Sequence, residues 1–313
     1  MSTLEGDDLR WALQRRIEDV FAKLGEKFGD LTGRVETDIR PSVSFDDIGG
    51  LKQAKATLKG FAYALTQPEL YEQWGITPPR GVLLYGPPGT GKSKLARALA
   101  TASQAIFYHI KLLNLTSKFG ATTGELLQEI LRIAIAEGRG VLFLDEAEAL
   151  SLEHLLPPPA AREASARLVA ALCEKLDGLP PTGRVLVIGA TSRTDAVDAE
   201  LVAPGRLDHL VEIPLPDADA QREILALLKT RTERTAGRPL FEPIDDRKLL
   251  PVMGGMSGAD ISEIIQRALE TKVHRMAEGA EPGPVTTEDL LISIDAYKGV
   301  RGVVEKIRYG QYL

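Results

Sequence analysis

The chain has 313 residues, of which 44% are hydrophobic and 26% charged, a composition typical of a folded protein rather than a disordered one. The formal net charge is −6, so there is no overall positive field to attract nucleic acid, and we expect no nucleic-acid partner. Cys173 is the only cysteine, which excludes an intrachain disulfide and a cysteine-based metal site and suits the cytoplasm.

Neither secretion nor membrane insertion is expected. The acidic start MSTLEGDDLR has no apolar core behind it, which argues against a signal peptide. No apolar run approaches the roughly 18 residues that a membrane span needs. The richness in Ala, Arg and Gly suggests a bacterial source.

The first 42 residues predict a helical arm followed by a linker. Apolar residues recur with helical spacing over residues 8–28 and so predict a helix with one apolar stripe. The stripe consists of Leu9, Leu13, Ile17, Val20, Phe21, Leu24 and Phe28. The hydrophilic stretch GDLTGRVETDIRPS (29–42) is typical of a linker. Three roles for the stripe remain open: packing on its own or a neighbouring domain, recruitment of a partner or substrate, and self-association as a coiled coil.

From residue 43 to residue 216 short aliphatic runs alternate with helical segments. The runs are GVLLY (81–85), IFYHI (106–110), VLFL (141–144), VLVIGA (185–190) and LVEI (210–213). Aliphatic runs of this length predict buried parallel strands, and hence an α/β domain. Beyond Pro216 only helices are predicted, at 217–231, 257–278 and 286–300. We therefore expect a small all-helical domain at 217–302 and a tail at 303–313.

The segment GPPGTGKS (86–93) directly follows the first predicted strand and precedes a helix. It matches G-x-x-x-x-G-K-[ST], in which backbone N–H groups and the helix N-terminus bind phosphate oxygens. Lys92 is expected to reach the β- and γ-phosphates of ATP, and the Ser93 hydroxyl to bind Mg²⁺. A chance turn rich in Gly and Pro is the alternative. The residues predicted to hold the nucleotide are Pro88, Gly89, Thr90, Gly91, Lys92, Ser93 and Lys94.

The segment VLFLDEAEAL (141–150) is a buried strand that ends in two acids. Asp145, at the end of the strand, can hold Mg²⁺ through water. Glu146 can polarise the attacking water as a general base. Paired acids also favour a plain helix N-terminus, but the preceding phosphate loop favours the catalytic interpretation.

These motifs together resemble the AAA+ ATPases, in particular the clade of valosin-containing protein, the proteasomal ATPases, and katanin and spastin. FDDIGGL (45–51) matches the segment that lies against the adenine in that family, and it contains Asp47, Ile48 and Gly49. Residues 189–217 resemble the second region of homology. MSGADISEIIQRA (256–268) resembles the start of the lid domain, where Gly258 and Ala259 would contact the nucleotide. The resemblance implies a three-layer P-loop NTPase domain with a parallel sheet, followed by a helical lid.

The family also implies hexameric rings with ATP at the subunit interfaces and a neighbour's arginine at the transition state. Arg206 is the one arginine left of the family's usual pair, since Ala203 stands at the first position; a surface salt bridge is its alternative role. Ser192 stands where the family usually has the asparagine that orients the attacking water. These departures leave nucleotide binding expected and leave slow hydrolysis open.

Two further segments resemble parts of the family that contact proteins. Lys118 and Phe119, in SKFGATTGE (117–125), stand where the family places its first pore loop, with a buried core phenylalanine as the alternative. The final residues GQYL resemble the tails by which actinobacterial proteasome activators dock on the core particle; packing on an adjoining subunit is the alternative. The tail residues are Gly310, Gln311, Tyr312 and Leu313.

The leading hypothesis is an ATP-hydrolysing hexameric ring that remodels a protein substrate, with a proteasome core as a candidate partner. One rival is a nucleotide-gated scaffold with little turnover. A second rival is a ring that severs a filament or disassembles a complex without a protease.

Overall fold

The structure is a computed structural model. It describes residues 2–150, 159–180 and 183–308, with side chains described over 11–33, 35–112, 122–149, 166–180 and 183–301. The chain divides into two compact units. The first comprises Met1–Phe45, Gln53–Gly86 and Lys92–Ile213, and the second comprises Asp46–Lys52, Pro87–Gly91 and Pro214–Leu313. The short segments 46–52 and 87–91 thus group with the helical unit, which the predicted boundary at residue 216 did not anticipate.

Helices and strands alternate through the first unit. Its helices are α1 (Ser2–Phe28), α2 (Lys52–Thr66), α3 (Pro68–Gln73), α4 (Lys92–Ser103), α5 (Leu112–Ala136) and α6 (Pro159–Asp177). Its strands are β1 (Val35–Asp38), β2 (Gly81–Tyr85), β3 (Ile106–Lys111), β4 (Gly140–Asp145), β5 (Val185–Thr191) and β6 (His209–Glu212). The second unit contains α7 (Ala218–Ala236), α8 (Asp246–Leu249), α9 (Gly258–Ala277) and α10 (Thr287–Arg308).

The six strands form one sheet in the order β1-β3-β4-β5-β2-β6. All neighbours run parallel except β1, which is antiparallel to β3. The five strands predicted from aliphatic runs are confirmed, as is the α/β fold class. Because β2, β4 and β5 are parallel, the residues that follow them lie at the same edge of the sheet, where open α/β sheets bind ligands.

Helices cover both faces of this sheet. Successive side chains of a strand alternate between the faces, so Tyr108 and Leu142 join a buried cluster with α5 and α6 on one side. Phe107 and Phe143 stack on the other side, with ring centroids 5.9 Å apart. Arg97 of α4 lies over the Phe107 ring at 4.7 Å. The layered arrangement expected of the large domain is therefore present.

The predicted linker at 29–42 is partly ordered as sheet, and that expectation was wrong. A 3-10 helix covers Gly29–Arg34, and β1 pairs Glu36 with His109 and Asp38 with Phe107 of β3. The polar composition concealed the strand because β1 lies at the edge of the sheet. There its acids are neutralised by cations: Lys111 Nζ lies 3.1 Å from Glu36 Oε1, and Arg97 lies 3.4 Å from both Glu36 and Asp38.

The segment predicted as a pore loop is helical in this structure. Residues 117–125 form part of α5, so the expectation of a loop at Lys118 and Phe119 was wrong for the backbone. The reason is local, since α5 contains no proline, and Gly120 and Gly124 weaken a helix without ending it. The side chains of Lys118 and Phe119 lie outside the described residues, and their role in gripping a substrate stays a prediction.

The second unit has its own buried core and well-capped helices. Its core contains Leu225 of α7, Ile261 and Ile265 of α9, and Leu290 and Ile294 of α10. Ser257 caps α9 in a reciprocal capping box with Asp260. Thr286 Oγ1 likewise accepts from the Asp289 N–H. The three helices predicted here are confirmed. None of the helices in the described part of the chain combines the length and the apolar character that crossing a bilayer requires.

The apolar stripe of α1 packs on the first unit, which is the first of its three predicted roles. Ile17, Leu24 and Phe28 are buried in the same cluster as Tyr108 and the inward face of α5. Phe21 stacks on Tyr108 with centroids 6.5 Å apart. Polar contacts border the stripe, where Arg16 Nε lies 2.9 Å from Glu137 Oε1 and Lys27 Nζ lies 4.0 Å from Glu129 Oε1.

This packing predicts that the arm contributes to stability. Ile17 is 2% exposed, so Ile17→Ala should lower the free energy of unfolding by about 2–5 kcal/mol through lost burial and the cavity left behind. Trp11 on the same helix is 65% exposed, and Trp11→Ala should change it by less than about 0.5 kcal/mol. Urea unfolding followed by circular dichroism measures both. Equal, small effects would contradict the packed arm.

Candidate functional site

The phosphate loop begins where β2 ends. Its first residue, Gly86, leaves no room for a residue with a Cβ. Gly86 has φ +146°, and a Cβ there would lie 2.2 Å from the Ile213 carbonyl oxygen. Lys92 begins α4, and its ammonium donates to the Gly86 carbonyl at 2.7 Å. Burial lowers the pKa of Lys92, and the nearby carboxylates of Asp145 and Glu148 oppose that shift. The lysine is thus held at the loop, with the Ser93 and Lys94 positions in the first turn of the helix.

In the second unit, Gly89 packs against the start of α9. Gly89 has φ +75°, and a Cβ there would lie 2.6 Å from Ser257 Oγ. The Ala259 N–H donates to the Gly89 carbonyl at 3.1 Å. Thr90 Oγ1 donates to the Pro87 carbonyl at 2.9 Å, which closes the turn around Pro88. The structure therefore brings phosphate-loop residues next to the predicted lid residue Ala259.

The FDDIGG segment belongs to the same unit and packs on α7. A Cβ on Gly49 would lie 2.7 Å from Ile224 Cγ1, and one on Gly258 would lie 3.8 Å from Ile224 Cδ1. The Gly50 N–H donates to Glu223 Oε2 at 2.7 Å. Ile48 is buried. Three predicted nucleotide-contacting segments, at residues 47–49, 88–91 and 258–259, are thus parts of one compact unit.

In the first unit, Asp145 ends β4 with both carboxylate oxygens engaged. Oδ1 accepts from the Glu146 N–H at 3.1 Å, and Oδ2 lies 3.1 Å from His109 Nε2. The other ring nitrogen of His109, Nδ1, lies 3.2 Å from Glu36 Oε2. A hydrogen bond from Lys111 lowers the pKa of Glu36. His109 could not be predicted from the sequence, because its contacts arise from the pairing of β3 with β1 and β4.

Glu146 has a strained backbone and an unusual electrostatic setting. Its φ of +59° lies in the left-handed region, which costs a residue with a Cβ about 1–2 kcal/mol. Burial raises the pKa of Glu146, and the carboxylates of Asp145 and Glu148 raise it further. Strain and a raised carboxyl pKa are both concentrated at functional sites. Both fit a general base at this position.

Ser192 follows β5 and is linked to a third acid. Its Oγ donates to Glu148 Oε1 at 3.0 Å. The other oxygen, Glu148 Oε2, is buried and has no hydrogen-bond partner among the residues that the structure describes. A buried acceptor without a protein partner fits a site that takes up water or a hydrated cation. Sequence reasoning missed Glu148, although it stands two residues beyond Glu146.

Arg206 forms the salt bridge that was weighed as its alternative role. Its guanidinium donates to both oxygens of Asp177, at 2.9 Å and 2.8 Å, and to the Glu200 carbonyl at 2.7 Å. The hydrogen bond from Arg206 lowers the pKa of Asp177. Asp208 accepts from the Gly205 N–H at 2.8 Å and orients the same turn. Action on a neighbour's nucleotide stays a prediction for Arg206.

The donor set suits Mg²⁺ better than a metal bound by protein alone. Over the described residues, no group of three or more His, Cys, Asp and Glu side chains is arranged to hold a metal ion. Mg²⁺ commonly keeps several waters and takes one or two protein oxygens together with phosphates. Ser93, Asp145 and the unpartnered Glu148 oxygen fit that pattern. The tail residues Gly310, Gln311, Tyr312 and Leu313 lie outside the described residues.

Comparison with known proteins identifies one family and several relatives. Residues 82–215 match the family described as "ATPase family associated with various cellular activities (AAA)". A proteasome-activating nucleotidase of Methanopyrus kandleri is 35% identical over 266 residues, which are 85% of this chain and 58% of the relative. That of Methanothermobacter thermautotrophicus is 35% identical over 276 residues, 88% and 64% of the two chains.

A third relative is matched over more of its length. The proteasome-activating nucleotidase of Saccharolobus solfataricus is 31% identical over 300 residues, which are 95% of this chain and 73% of the relative. The chain spans less than two thirds of the first two relatives. All three relatives are archaeal, and they do not support the bacterial source suggested by composition.

Because Glu146 has a left-handed backbone, we expect glycine at this position to give a more stable protein than alanine, the reverse of the order in a helix. Glu146→Ala and Glu146→Gly both remove the carboxylate, but only alanine retains the strained Cβ. The glycine variant should therefore be more stable than the alanine variant by about 1 kcal/mol. Thermal and urea unfolding measure the difference.

A matched control lies on an exposed helix. Ala226 of α7 is exposed, and Ala226→Gly there should destabilise by about 1 kcal/mol. The same sign of the alanine-to-glycine difference at both positions would show that Glu146 is not strained.

Proposed function

The chain belongs to the AAA family of ATPases, and from that premise we propose that it binds ATP with Mg²⁺ and hydrolyses it to ADP and phosphate. The observation that carries this proposal is the convergence of Lys92, Asp145, Glu146 and Ser192 at one edge of the parallel sheet. Asp145 ends β4 and Glu146 follows it, Ser192 follows β5, and Lys92 begins α4. The sheet thereby gathers an ammonium, two carboxylates and a hydroxyl, which supports the proposed roles of phosphate binding, cation binding and base catalysis.

The phosphate loop would bind the nucleotide. Backbone N–H groups of the loop and the N-terminus of α4 would face phosphate oxygens. The Lys92 ammonium, which donates to the Gly86 carbonyl at 2.7 Å, would exchange that acceptor for phosphate oxygens. Ser93 and Asp145 would hold the Mg²⁺ ion, which neutralises charge on the phosphates when it is bound.

Glu146 and the Ser192–Glu148 pair would orient and deprotonate the attacking water. Glu146 would accept the proton of the water, and its raised pKa makes it a stronger base than an ordinary glutamate. Ser192 donates its only proton to Glu148, so its oxygen is left as an acceptor. A water that donates to Glu146 and Ser192 would turn its lone pair away from both. In this arrangement Ser192, held by Glu148, would orient the water in place of the asparagine that the family usually has at this position.

Completion of the site requires a second subunit. We assign Arg206 to the nucleotide of a neighbour in a homo-oligomer, a hexamer by analogy with the family. Its bidentate bonds to Asp177 hold the guanidinium in a defined direction within its own subunit. An arginine supplied in trans is worth about 10³–10⁵ in rate in related phosphoryl-transfer enzymes.

We further propose that hydrolysis drives the remodelling of a protein substrate. Three relatives bear the name proteasome-activating nucleotidase, which supports a proteasome core as the partner. Lys118 and Phe119 are the proposed contacts to the substrate. A cytoplasmic location follows from that partner.

A nucleotide-gated scaffold is the second candidate function, and one observation favours it. Arg206 is fully engaged by Asp177 and Glu200, and Ala203 removes the second arginine of the usual pair. An assembly that retains Arg206 in this salt bridge would bind ATP and turn it over slowly. Phosphate release from the assembled particle separates the two functions.

The proposal predicts complementation between two inactive variants. Glu146→Gln removes the base but still supplies Arg206 to a neighbour. Arg206→Ala lacks the guanidinium but retains Glu146. Each variant alone should lose at least about 100-fold in phosphate release while binding ATP, and mixed assemblies should recover part of the activity because they contain interfaces with both groups.

The control removes a salt bridge elsewhere on the surface. Arg132 forms a local pair with Glu129 of the same helix, at 2.8 Å, and Arg132→Ala should retain full turnover. A mixture that stays inactive although both variants co-assemble would exclude action in trans. Full activity of Glu146→Gln alone would exclude the assigned base.

Association with a proteasome core predicts a dependence on the last residues of the sequence. Deletion of Gln311–Leu313 should abolish ATP-dependent binding to a purified core particle while leaving phosphate release unchanged. Pull-down with the core particle measures binding, and Tyr309→Ala, two residues before the deleted segment, serves as the control. Retained binding after the deletion would remove this role of the tail.

A further inference from the structure

We propose that His109 is a positioning residue that fixes the Asp145 carboxylate for the divalent cation, and that Glu36 on the edge strand β1 fixes His109 in turn. The inference rests on the proposed function, in which Asp145 holds Mg²⁺. It assigns a role to three residues that belong to three adjacent strands.

The register of the sheet places the three side chains in a row. Glu36 of β1 is directly opposite His109 of β3, and His109 is opposite Phe143 of β4. Asp145 stands two residues beyond Phe143, so its side chain is on the same face. The imidazole spans the gap, with Nδ1 3.2 Å from Glu36 Oε2 and Nε2 3.1 Å from Asp145 Oδ2.

These contacts fix the orientation of the Asp145 carboxylate at both oxygens. Oδ1 is held by the Glu146 N–H and Oδ2 by His109. Each oxygen has two lone pairs, so each retains one that can accept from a cation-bound water. The carboxylate can therefore serve the cation without rotating, and without His109 it would lose the contact that holds Oδ2.

The ring of His109 is itself restrained on every side that the structure describes. Its side chain is 8% exposed. The rings of Phe107 and Phe143 lie at centroid distances of 6.1 Å and 5.2 Å. Glu36 is anchored by Lys111 at 3.1 Å and by Arg97 at 3.4 Å. The chain of contacts thus ends in two cations at the edge of the sheet.

The effect of substituting a residue that orients a metal-binding carboxylate has a known size. Such partners, when substituted, typically cost about 10–100-fold in metal affinity or activity. A purely structural histidine would instead affect folding stability and would not discriminate between its two ring nitrogens. That difference makes the proposal testable with isosteric amides.

The test compares His109→Gln with His109→Asn. The glutamine amide reaches the position of Nε2 and can donate to Asp145, whereas the asparagine amide reaches the position of Nδ1 and can donate only toward Glu36. Binding of a fluorescent ATP analogue is titrated with Mg²⁺ and repeated in EDTA. Thermal unfolding of each variant is measured alongside.

The expected result is a selective loss of cation affinity. His109→Asn should raise the Mg²⁺ concentration for half-maximal effect by about 10–100-fold, and His109→Gln should raise it much less. Binding in EDTA should be equal in both. Glu36→Gln, which retains His109 and weakens its anchor, should give an intermediate shift and serves as the second test if either His109 variant fails to fold. His274→Asn, an exposed histidine of α9, is the surface control.

Two outcomes would overturn the inference. If His109→Asn needs no more Mg²⁺ than the wild-type chain, and the wild-type chain binds nucleotide in a Mg²⁺-dependent way, the positioning role is excluded and the proposed function is not. Equal shifts in the Asn and Gln variants, in proportion to their loss of thermal stability, would assign His109 to structure only. Absence of Mg²⁺-dependent nucleotide binding in the wild-type chain would overturn the proposed function as well, so the two failures are distinguishable.

Discussion

Parallel pairing of β4 with β3 on one side and β5 on the other is the constraint on which the site depends. Because these strands run in one direction, the groups that follow them meet at one edge. Lys111 is opposite Asp145 in this register, and Ser192 follows the next strand. A slip of one residue would turn Asp145 to the opposite face of the sheet. Asp145 would then lose its contact with His109.

The same convergence has an electrostatic cost. Asp145, Glu146 and Glu148 lie within four residues; the Lys92 ammonium is near Asp145 and Glu148, and Lys111 is the cation that partly offsets the raised pKa of Glu146. Burial raises the pKa of Glu146, the neighbouring carboxylates raise it further, and the left-handed backbone of this residue adds strain. A divalent cation would reduce the repulsion among these acids, so the site is arranged to be more stable in the bound state. Each of these costs falls on a residue to which the proposed reaction assigns a role.

The sequence predicts the features that local pattern determines. Aliphatic runs marked five strands, and a glycine-rich segment between strand and helix marked the phosphate loop. β1 was missed because its residues are polar, and only its pairing with β3 makes them strand. His109 and Glu148 were missed for a similar reason, since their importance depends on partners in distant segments. At Lys118 and Phe119 the family pattern predicted a loop, but the local absence of proline favoured the helix that forms.

The apolar stripe of α1 can be read from the sequence, but its role depends on contacts with distant segments. The stripe on α1 predicted a buried face but did not identify what buries it. In the structure that face packs on α5 and on Tyr108, and the chain then continues into β1, which carries Glu36. From Glu36 only the imidazole of His109 separates the edge of the sheet from Asp145. A displacement of the arm that shifted β1 would therefore reach Asp145, the carboxylate proposed to bind the cation, through two contacts and without any rearrangement of the central strands.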